Sequence, residues 1–188
     1  MTRTIYIVLT ETGTLLSKAI GIYTGREMNH ASISFDPELY EMYSFGRVHV
    51  NNPLSGGFLR ENAETGLFEF ANCAIYKISV TEYQYKEMKN SILYMHGNRK
   101  LYKYNFLGLF GVMVQKEVRR ERAFFCSQFV ATILKIGGLE VDHNPALMTP
   151  HCLAKLPYIQ PVYFGQLSRY LEEVRQPILF ANNLYVNQ

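Results

Sequence analysis

The sequence predicts an α+β fold, in which a meander of strands has helices placed before and after it. Two observations indicate this class: short segments with strand patterning are bounded by turn residues, and segments with helical spacing flank them. A hydrophobic content of 48% is typical of a globular protein. The 188 residues are expected to form a single domain, residues 1–188, with one sizeable core.

Three segments have the β-branched content or the two-residue alternation of strands: Thr4–Leu9, Asn29–Phe35 and Ala74–Val80. A turn at Asp36–Glu38, with proline at its second position, predicts a hairpin whose second strand covers Leu39–Phe45. The following stretch, rich in Asn, Pro and Gly up to residue 57, is expected to be a long exposed connection.

Helical spacing predicts four helices: Leu15–Tyr23, a helix from Thr81 to about His96, one around Phe124–Leu134, and a short one within Val162–Val174. Thr81 and Gln84 have the spacing of a capping box, so the second helix is expected to begin there. Tyr102–Val114 is compatible with a strand, a loop or a helix.

Cys126 lies in the first turn of the helix that ends at Gly137. The unpaired amide groups of a first helical turn favour a thiolate over a thiol, and the thiolate is the nucleophile. Because Cys126 shares an apolar face with Phe129 and Val130, it is also compatible with a small core residue that has no chemical role.

His30 begins the alternating strand and lies on its polar row with Ser32 and Ser34. A strand holds an imidazole in a fixed orientation, so His30 is the expected general base for Cys126. The remaining histidines are weaker candidates: His49, His96 at a helix end, and His143 and His151 in a proline-containing loop.

A third group is expected to orient His30 by accepting its second N–H. If the turn at Asp36–Glu38 is tight, Glu41 or Ser44 of the next strand comes beside His30. A one-residue change of register exchanges the two faces of a strand, so both candidates stay open from the residues alone.

The order of these parts resembles the circularly permuted NlpC-type branch of the papain-like cysteine hydrolases, the YaeF/YiiX-like group. The matching segments, which span about Ile5 to Tyr170, are NHASISFD with His30, LYEMYSFGR, KYNF at Lys103–Phe106, FFCSQFVATIL with Cys126, and Thr149-Pro150. The resemblance implies a papain-like antiparallel sheet packed against helices. It also implies that Cys126 is the nucleophile and His30 the base, with the third position near Glu41 or at Ser44.

These residues together predict a thiol hydrolase, a cysteine peptidase or amidase that cleaves a peptide-like amide through an acyl-enzyme. The Cys126 backbone N–H is an expected oxyanion donor, and Tyr104 and Gln128 are candidates to line the cleft, with Ser44 beside them. Two alternatives stay open: a thiol acyltransferase or lipid-directed hydrolase with an acyl groove at Phe106–Phe110, and a non-catalytic binding protein with Lys116–Arg122 as its contact surface.

Composition argues against several other classes of function. A net charge of +3 is too small to indicate a nucleic-acid partner, and the charged run Lys116–Arg122 has the mixed signs of a solvated surface. Three widely spaced cysteines without a CxxC pair suggest neither a metal site nor a disulfide framework, and no cofactor is implied. No signal peptide or membrane span is recognised, so a cytoplasmic location is expected, although the similar group includes secreted members. An intracellular bacterial or phage-borne role fits this expectation.

Overall fold

The computed structural model describes residues 1–12, 28–47, 56–141 and 144–186, and within them it leaves out the side chains of 47, 113 and 177–186. The predicted helix at Leu15–Tyr23 and the histidines at positions 49 and 143 lie outside the described residues.

Six strands form one antiparallel sheet in the order β4–β3–β2–β1–β5–β8. Their bounds are Thr2–Thr10 (β1), His30–Ser34 (β2), Met42–Arg47 (β3), Gly56–Arg60 (β4), Asn72–Thr81 (β5) and Gln160–Gln166 (β8). A separate parallel pair is formed by β6, Lys103–Tyr104, and β7, Ala123–Phe124. The α+β class with an antiparallel sheet is therefore present in the structure.

The described α-helices are Glu82–Gly97 (α1), Phe106–Met113 (α2), Cys126–Ile136 (α3), Pro150–Leu153 (α4) and Leu167–Val186 (α5). Short 3₁₀ turns cover Gly66–Phe68, Arg99–Leu101 and Pro145–Leu147. The capping box predicted for α1 is confirmed: Gln84 N–H donates to Thr81 Oγ1 at 3.2 Å, and Thr81 N–H donates to Gln84 Oε1 at 3.0 Å.

Helices cover both faces of the sheet. On one face, Met88 of α1 and Phe129 of α3 are fully buried in a cluster that includes Ile7 of β1. On the other face, Leu167 of α5 packs in a cluster with Val8 of the same strand. Because neighbouring residues of β1 are buried on opposite faces, the strand reads as a continuous apolar run. The three layers hold α3, and with it Cys126, firmly against the sheet.

The structure corrects the predicted hairpin. The second strand begins at Met42, not at Leu39, because the Asp36 carboxylate accepts the backbone N–H groups of Tyr40 and Glu41 at 2.8 and 2.6 Å. Leu39 has a φ of 60°, a left-handed conformation that a strand does not contain. The connection is therefore a wide turn, and this width sets the register of β2 against β3.

Two strands of the six-stranded sheet were not predicted, and neither was β7, whose Phe124 was expected to be helical. β4 lies in the stretch expected to be an exposed connection, and β8 precedes α5 in the segment expected to contain only a short helix. Proline at position 161 and glycine at 165 mask the strand signal of β8, which is an edge strand where a proline is tolerated. The helix that follows is also longer than predicted, at 20 residues.

The segment left open between strand, loop and helix contains both β6 and α2. Asn105 is buried between them, and its side chain caps the helix by accepting Gly108 N–H at 2.9 Å. Its amide nitrogen donates to the Val118 carbonyl at 3.1 Å, which ties the chain after α2 to the start of the helix.

A buried hydrogen bond fixes the first turn of α3, since Ser127 Oγ donates to the Met148 carbonyl at 2.7 Å. Ser127→Ala leaves that carbonyl without this partner, so we expect a loss of about 1–3 kcal/mol in the free energy of unfolding, measured by urea denaturation. Thr132→Ala is the matched control on the same helix. It removes only a local bond to the Gln128 carbonyl at 2.8 Å, so it should cost less than about 0.5 kcal/mol. Equal losses in both variants would contradict the anchoring role.

Candidate active site

Cys126 lies in the first turn of α3, as the sequence predicts, but the helix begins at Cys126 itself, because Phe124 belongs to β7 and Phe125 is extended. Only 5% of Cys126 is exposed. The preceding Phe125 is extended, and its N–H donates to Gln128 Oε1 at 3.3 Å. Phenylalanine has no side-chain acceptor, so only this half of a capping box can exist. The chain thus enters the helix in a fixed direction, with the thiol at the unpaired amide groups of the first turn.

His30 is the first residue of β2, and its imidazole hydrogen-bonds the Cys126 thiol. Its Nε2 atom lies 3.0 Å from Oε1 of Glu61. Since Nε2 faces Glu61, Nδ1 is the ring nitrogen left for the sulfur. The side chains of His30 and Glu61 are 12% and 6% exposed, so water screens this pair poorly. Cys126, His30 and Glu61 thus form a triad of interacting side chains.

The third group is therefore Glu61, and the expectation that Glu41 takes this position is wrong. In the register of β2 and β3, Ser34 lies opposite Met42, and Phe35 N–H donates to the Glu41 carbonyl at 3.3 Å. Glu41 therefore lies at the far end of the hairpin, roughly five residues or 16 Å along the strand from His30. Its carboxylate pairs with Lys89 of α1 instead.

Ser44, the second candidate for this position, lies next to the site but does not bond His30. Its hydroxyl donates to Oε1 of Glu61, and the Ser32 hydroxyl donates to Oε2 at 2.7 Å. Both serines lie on the polar row that the alternation of β2 and β3 predicts. Glu61 thus accepts three hydrogen bonds, which hold its carboxylate ionised and in one orientation beside His30.

Glu61 follows the last residue of β4, and its N–H donates to the Met42 carbonyl at 2.8 Å. Sequence analysis missed it because the short strand, GGFLR, begins with two glycines and resembles a loop. The sequence signal that could have indicated this strand is the apolar pair Phe58-Leu59. In a strand, the side chains of these two residues lie on opposite faces. Extending that alternation places Glu61 on the same face as Ser44.

The sheet opens between β2 and β3 at the site. Pairing of the two strands ends at Ile33 and Tyr43, although both strands continue. Ala31 is four residues before Phe35, so its N–H points in the same direction, towards β3. With no β3 carbonyl to meet, this N–H donates to the sulfur of Cys126, as does the N–H of Ser127. The gap therefore supplies a backbone donor for a thiolate.

The charges of the site follow from these contacts. Burial alone would raise the pKa of Cys126, but the hydrogen bond and positive charge of His30, with the two backbone donors, lower it below its ordinary value. Burial would lower the pKa of His30, yet the Glu61 carboxylate and the Cys126 thiolate raise it to about 10. Burial would also raise the pKa of Glu61, which His30 and the two serines lower. These shifts favour a thiolate–imidazolium pair over the two neutral groups.

Tyr104 interacts electrostatically with Cys126. Burial raises the pKa of its phenol well above the ordinary value, and the negative charge of a Cys126 thiolate raises it further. Its hydroxyl therefore stays protonated and can donate a hydrogen bond. A Cβ on Gly56 of β4 would lie 2.5 Å from the Tyr104 Cβ, so glycine permits the close approach of this strand. Tyr104 was predicted to line the cleft, and this electrostatic interaction is what links it to Cys126.

Gln128, predicted to bind substrate, lies elsewhere. Its side chain holds Phe125 and lines a cavity with Lys135, on the side of α3 turned away from Cys126. The correction follows from helical geometry, because residues two apart point in nearly opposite directions. His96 packs against the rings of Tyr43 and Phe58, at the end of α1, and takes no part in the site.

The three thiols have different surroundings. Burial in β5 raises the pKa of Cys73 to about 12. Cys152 lies in α4, where Thr149 caps the helix and its hydroxyl donates to the sulfur at 3.1 Å. The Thr149-Pro150 pair is thus the beginning of α4, with proline at a first-turn position that needs no N–H.

Within the part of the chain that the structure describes, no helix is both long enough and apolar enough to cross a bilayer. A scan against protein-family models, a search of curated proteins and a search of solved structures each returned no match.

We expect Cys126 to react first with iodoacetamide near neutral pH, because the hydrogen bond and charge of His30 lower the pKa of its thiol. Cys73 should stay unlabelled in the folded protein, since its thiol remains protonated. Peptide mass spectrometry after a brief exposure measures the order of labelling. Labelling of Cys73 or Cys152 ahead of Cys126 would contradict the thiolate assignment.

Glu61→Gln keeps the shape of the carboxylate but removes its charge, so the pKa of His30 should fall. The matched control is Glu41→Gln, which removes an equal charge at the far end of the hairpin and should leave the His30 titration unchanged. NMR titration of the imidazole measures both variants. A His30 pKa that moves in Glu41→Gln and stays in Glu61→Gln would restore the prediction made from the sequence.

Proposed function

We propose that the protein is a thiol hydrolase, a cysteine peptidase or amidase that cleaves an amide bond of a peptide-like substrate. The observation that carries the proposal is the triad of Cys126, His30 and Glu61. In this triad the buried carboxylate favours the charged form of the imidazole, and the imidazolium favours the thiolate. This arrangement of nucleophile, base and orienting acid is what covalent acyl transfer requires.

The first half of the reaction forms a thioester. The Cys126 thiolate attacks the carbonyl carbon, and the negative charge moves to the carbonyl oxygen. The Cys126 N–H has no acceptor inside the helix and suits an oxyanion donor, with the Tyr104 hydroxyl as a second. The His30 imidazolium gives its proton to the leaving amine as the C–N bond breaks, which leaves an acyl-enzyme and a neutral imidazole.

The second half returns the enzyme to its starting state. Neutral His30 takes a proton from water, the hydroxide attacks the thioester, and the carboxylic acid leaves as the C–S bond breaks. Glu61 stays ionised throughout, because three hydrogen bonds hold it and its pKa is lowered. Its role is to keep the ring oriented and to stabilise the imidazolium.

We also propose that the architecture is papain-like and of the permuted NlpC type. What supports this is the order of the parts: a strand bearing His30 precedes the helix bearing Cys126, and that helix packs against an antiparallel sheet. Glu61 follows β4, the strand after the one expected to carry the third group, so the resemblance is proposed for Cys126 and His30 alone.

A thiol acyltransferase or lipid-directed hydrolase is the second candidate, and one observation favours it. Leu107 and Phe110, within the segment expected to form an acyl groove, are 58% and 59% exposed rather than part of the core. The chemistry at sulfur is the same, and only the acyl donor and the acceptor differ. A non-catalytic protein is the weakest of the three candidates, because burying a carboxylate and an imidazolium carries a desolvation penalty that a purely structural role does not require.

Cys126→Ala should abolish turnover of a p-nitrophenyl ester and of peptide p-nitroanilides, by at least about 10³-fold. Cys152→Ala is the matched control and should retain activity, because this thiol does not belong to the triad of Cys126, His30 and Glu61. Amide cleavage supports the peptidase, and ester turnover with lipid substrates alone supports the second candidate. Full activity of Cys126→Ala on every substrate would rule out both.

The pH dependence of kcat/KM should be a broad bell. Activity rises as the Cys126 thiol ionises at a lowered pKa, and it falls as pH passes through the raised pKa of His30, about 10. In Glu61→Gln the His30 pKa is lower, so the alkaline limb should move to lower pH. A wild-type profile that rises only in the alkaline range of an ordinary thiol would contradict the ion pair.

A further inference from the structure

The surface of α2 is apolar where it meets solvent. Leu107, Phe110 and Val114, which follow each other at helical spacing, are 58%, 59% and 64% exposed. Val114 is the C-cap of the helix, and the eight helical residues, FLGLFGVM, include no polar side chain. We call these three residues the apolar stripe. A contiguous exposed apolar surface of this kind marks an interaction site more often than it marks chance.

The stripe is the outer side of a firmly packed helix. A Cβ on Gly111 would lie 2.4 Å from the Lys116 carbonyl oxygen, so the chain after α2 returns in close contact with the helix. Lys116 N–H also donates to the Gly111 carbonyl at 2.9 Å. The glycine side of α2 is thereby covered. Among the described residues the stripe is left exposed, on a helix that is already held in place.

The chain that returns from α2 carries positive charge. The returning chain leads into Arg119 and Arg120, which line a cavity of about 390 Å³ together with Lys135 and Gln128. Arg119 is paired with Glu117, whereas Arg120 and Lys135 have no ion pair among the described residues. The lining contains one acid, Glu121. The 3₁₀ turn Pro145–Leu147 supplies part of the same wall.

We propose that the apolar stripe and this basic cavity form a docking surface for an anionic phospholipid bilayer. The apolar side chains would enter the interface, and the cations would meet the phosphate groups of the lipids. The combination of apolar and cationic groups suits this occupant better than a nucleic acid, whose anionic backbone has no hydrocarbon region for the apolar side chains to enter. A second copy of the chain is a weaker candidate for the occupant. Even an aromatic side chain buries at most about 250 Å², so the three side chains of the stripe bury less than the roughly 800 Å² per partner of a stable dimer.

Docking by this surface would place the bilayer against α2 and against the side of α3 turned away from Cys126. Tyr104 is two residues before the first residue of α2, so one short segment joins the docking surface to the candidate active site. Any supply of a membrane-linked substrate to Cys126 rests on the proposed function. The docking itself does not depend on the chemistry, so the two can fail separately.

Vesicle co-sedimentation tests the proposal with the full chain. We expect binding to phosphatidylcholine vesicles that contain phosphatidylglycerol, weaker binding to pure phosphatidylcholine, and loss of binding as salt rises. Leu107→Ser with Phe110→Ser should weaken binding at least tenfold. Arg120→Ala and Lys135→Ala should each weaken it about fivefold, the equivalent of roughly 1 kcal/mol per charge.

Matched controls separate docking from general effects on the surface. Phe70→Ser removes an even more exposed aromatic side chain elsewhere, and Lys77→Ala removes a cation from β5, so both should bind as the wild type does. Cys126→Ala should also bind normally, which keeps this result independent of the chemistry. Circular dichroism checks that each variant is folded.

Three outcomes would overturn the proposal. The wild type could fail to bind anionic vesicles, the Phe70→Ser control could lose as much binding as the double variant, or sedimentation could show a dimer that Phe110→Ser dissociates without any vesicle binding. The last outcome would assign the apolar stripe to a second copy of the chain.

Discussion

The buried hydrogen bond between Glu61 and His30 is the interaction on which the site depends. A carboxylate in such surroundings keeps its charge only because it accepts hydrogen bonds from His30, Ser32 and Ser44. That charge sustains the imidazolium, and the imidazolium in turn sustains the Cys126 thiolate. Without the carboxylate, burial would favour neutral groups at each position, and the cysteine would be an ordinary core residue.

The geometry of that bond is set by the sheet and not by the active-site residues alone. The wide turn capped by Asp36 fixes the register of β2 against β3, and this register brings Ser44 opposite Ser32 in the row beside His30. The same two strands separate before they reach His30, which leaves the Ala31 N–H free to meet the sulfur. Two features of the same strand pair thus position the groups around His30 and Cys126.

The parts of the site with local patterns could be predicted. The apolar face of α3 and the alternation of β2 indicate that Cys126 and His30 lie near the starts of a helix and a strand. Such periods can be recognised from residues that are close in the sequence. Glu61 could not be predicted, since it depends on a short strand with two glycines. The exclusion of Glu41 depended on a side chain, Asp36, that stretches the turn. Register is a long-range property, and one residue of slip exchanges the faces.

The ionisation of Cys126 is the central claim, and the ultraviolet absorbance of its thiolate measures it directly. The wild type minus Cys126→Ser, titrated from acid to alkaline pH, isolates this one sulfur. We expect the thiolate to be present at neutral pH and to disappear only on acidification, and in His30→Ala to appear only at alkaline pH. A wild-type thiolate that appears only near pH 8.5 or above, about the value of an unperturbed cysteine, would contradict the account.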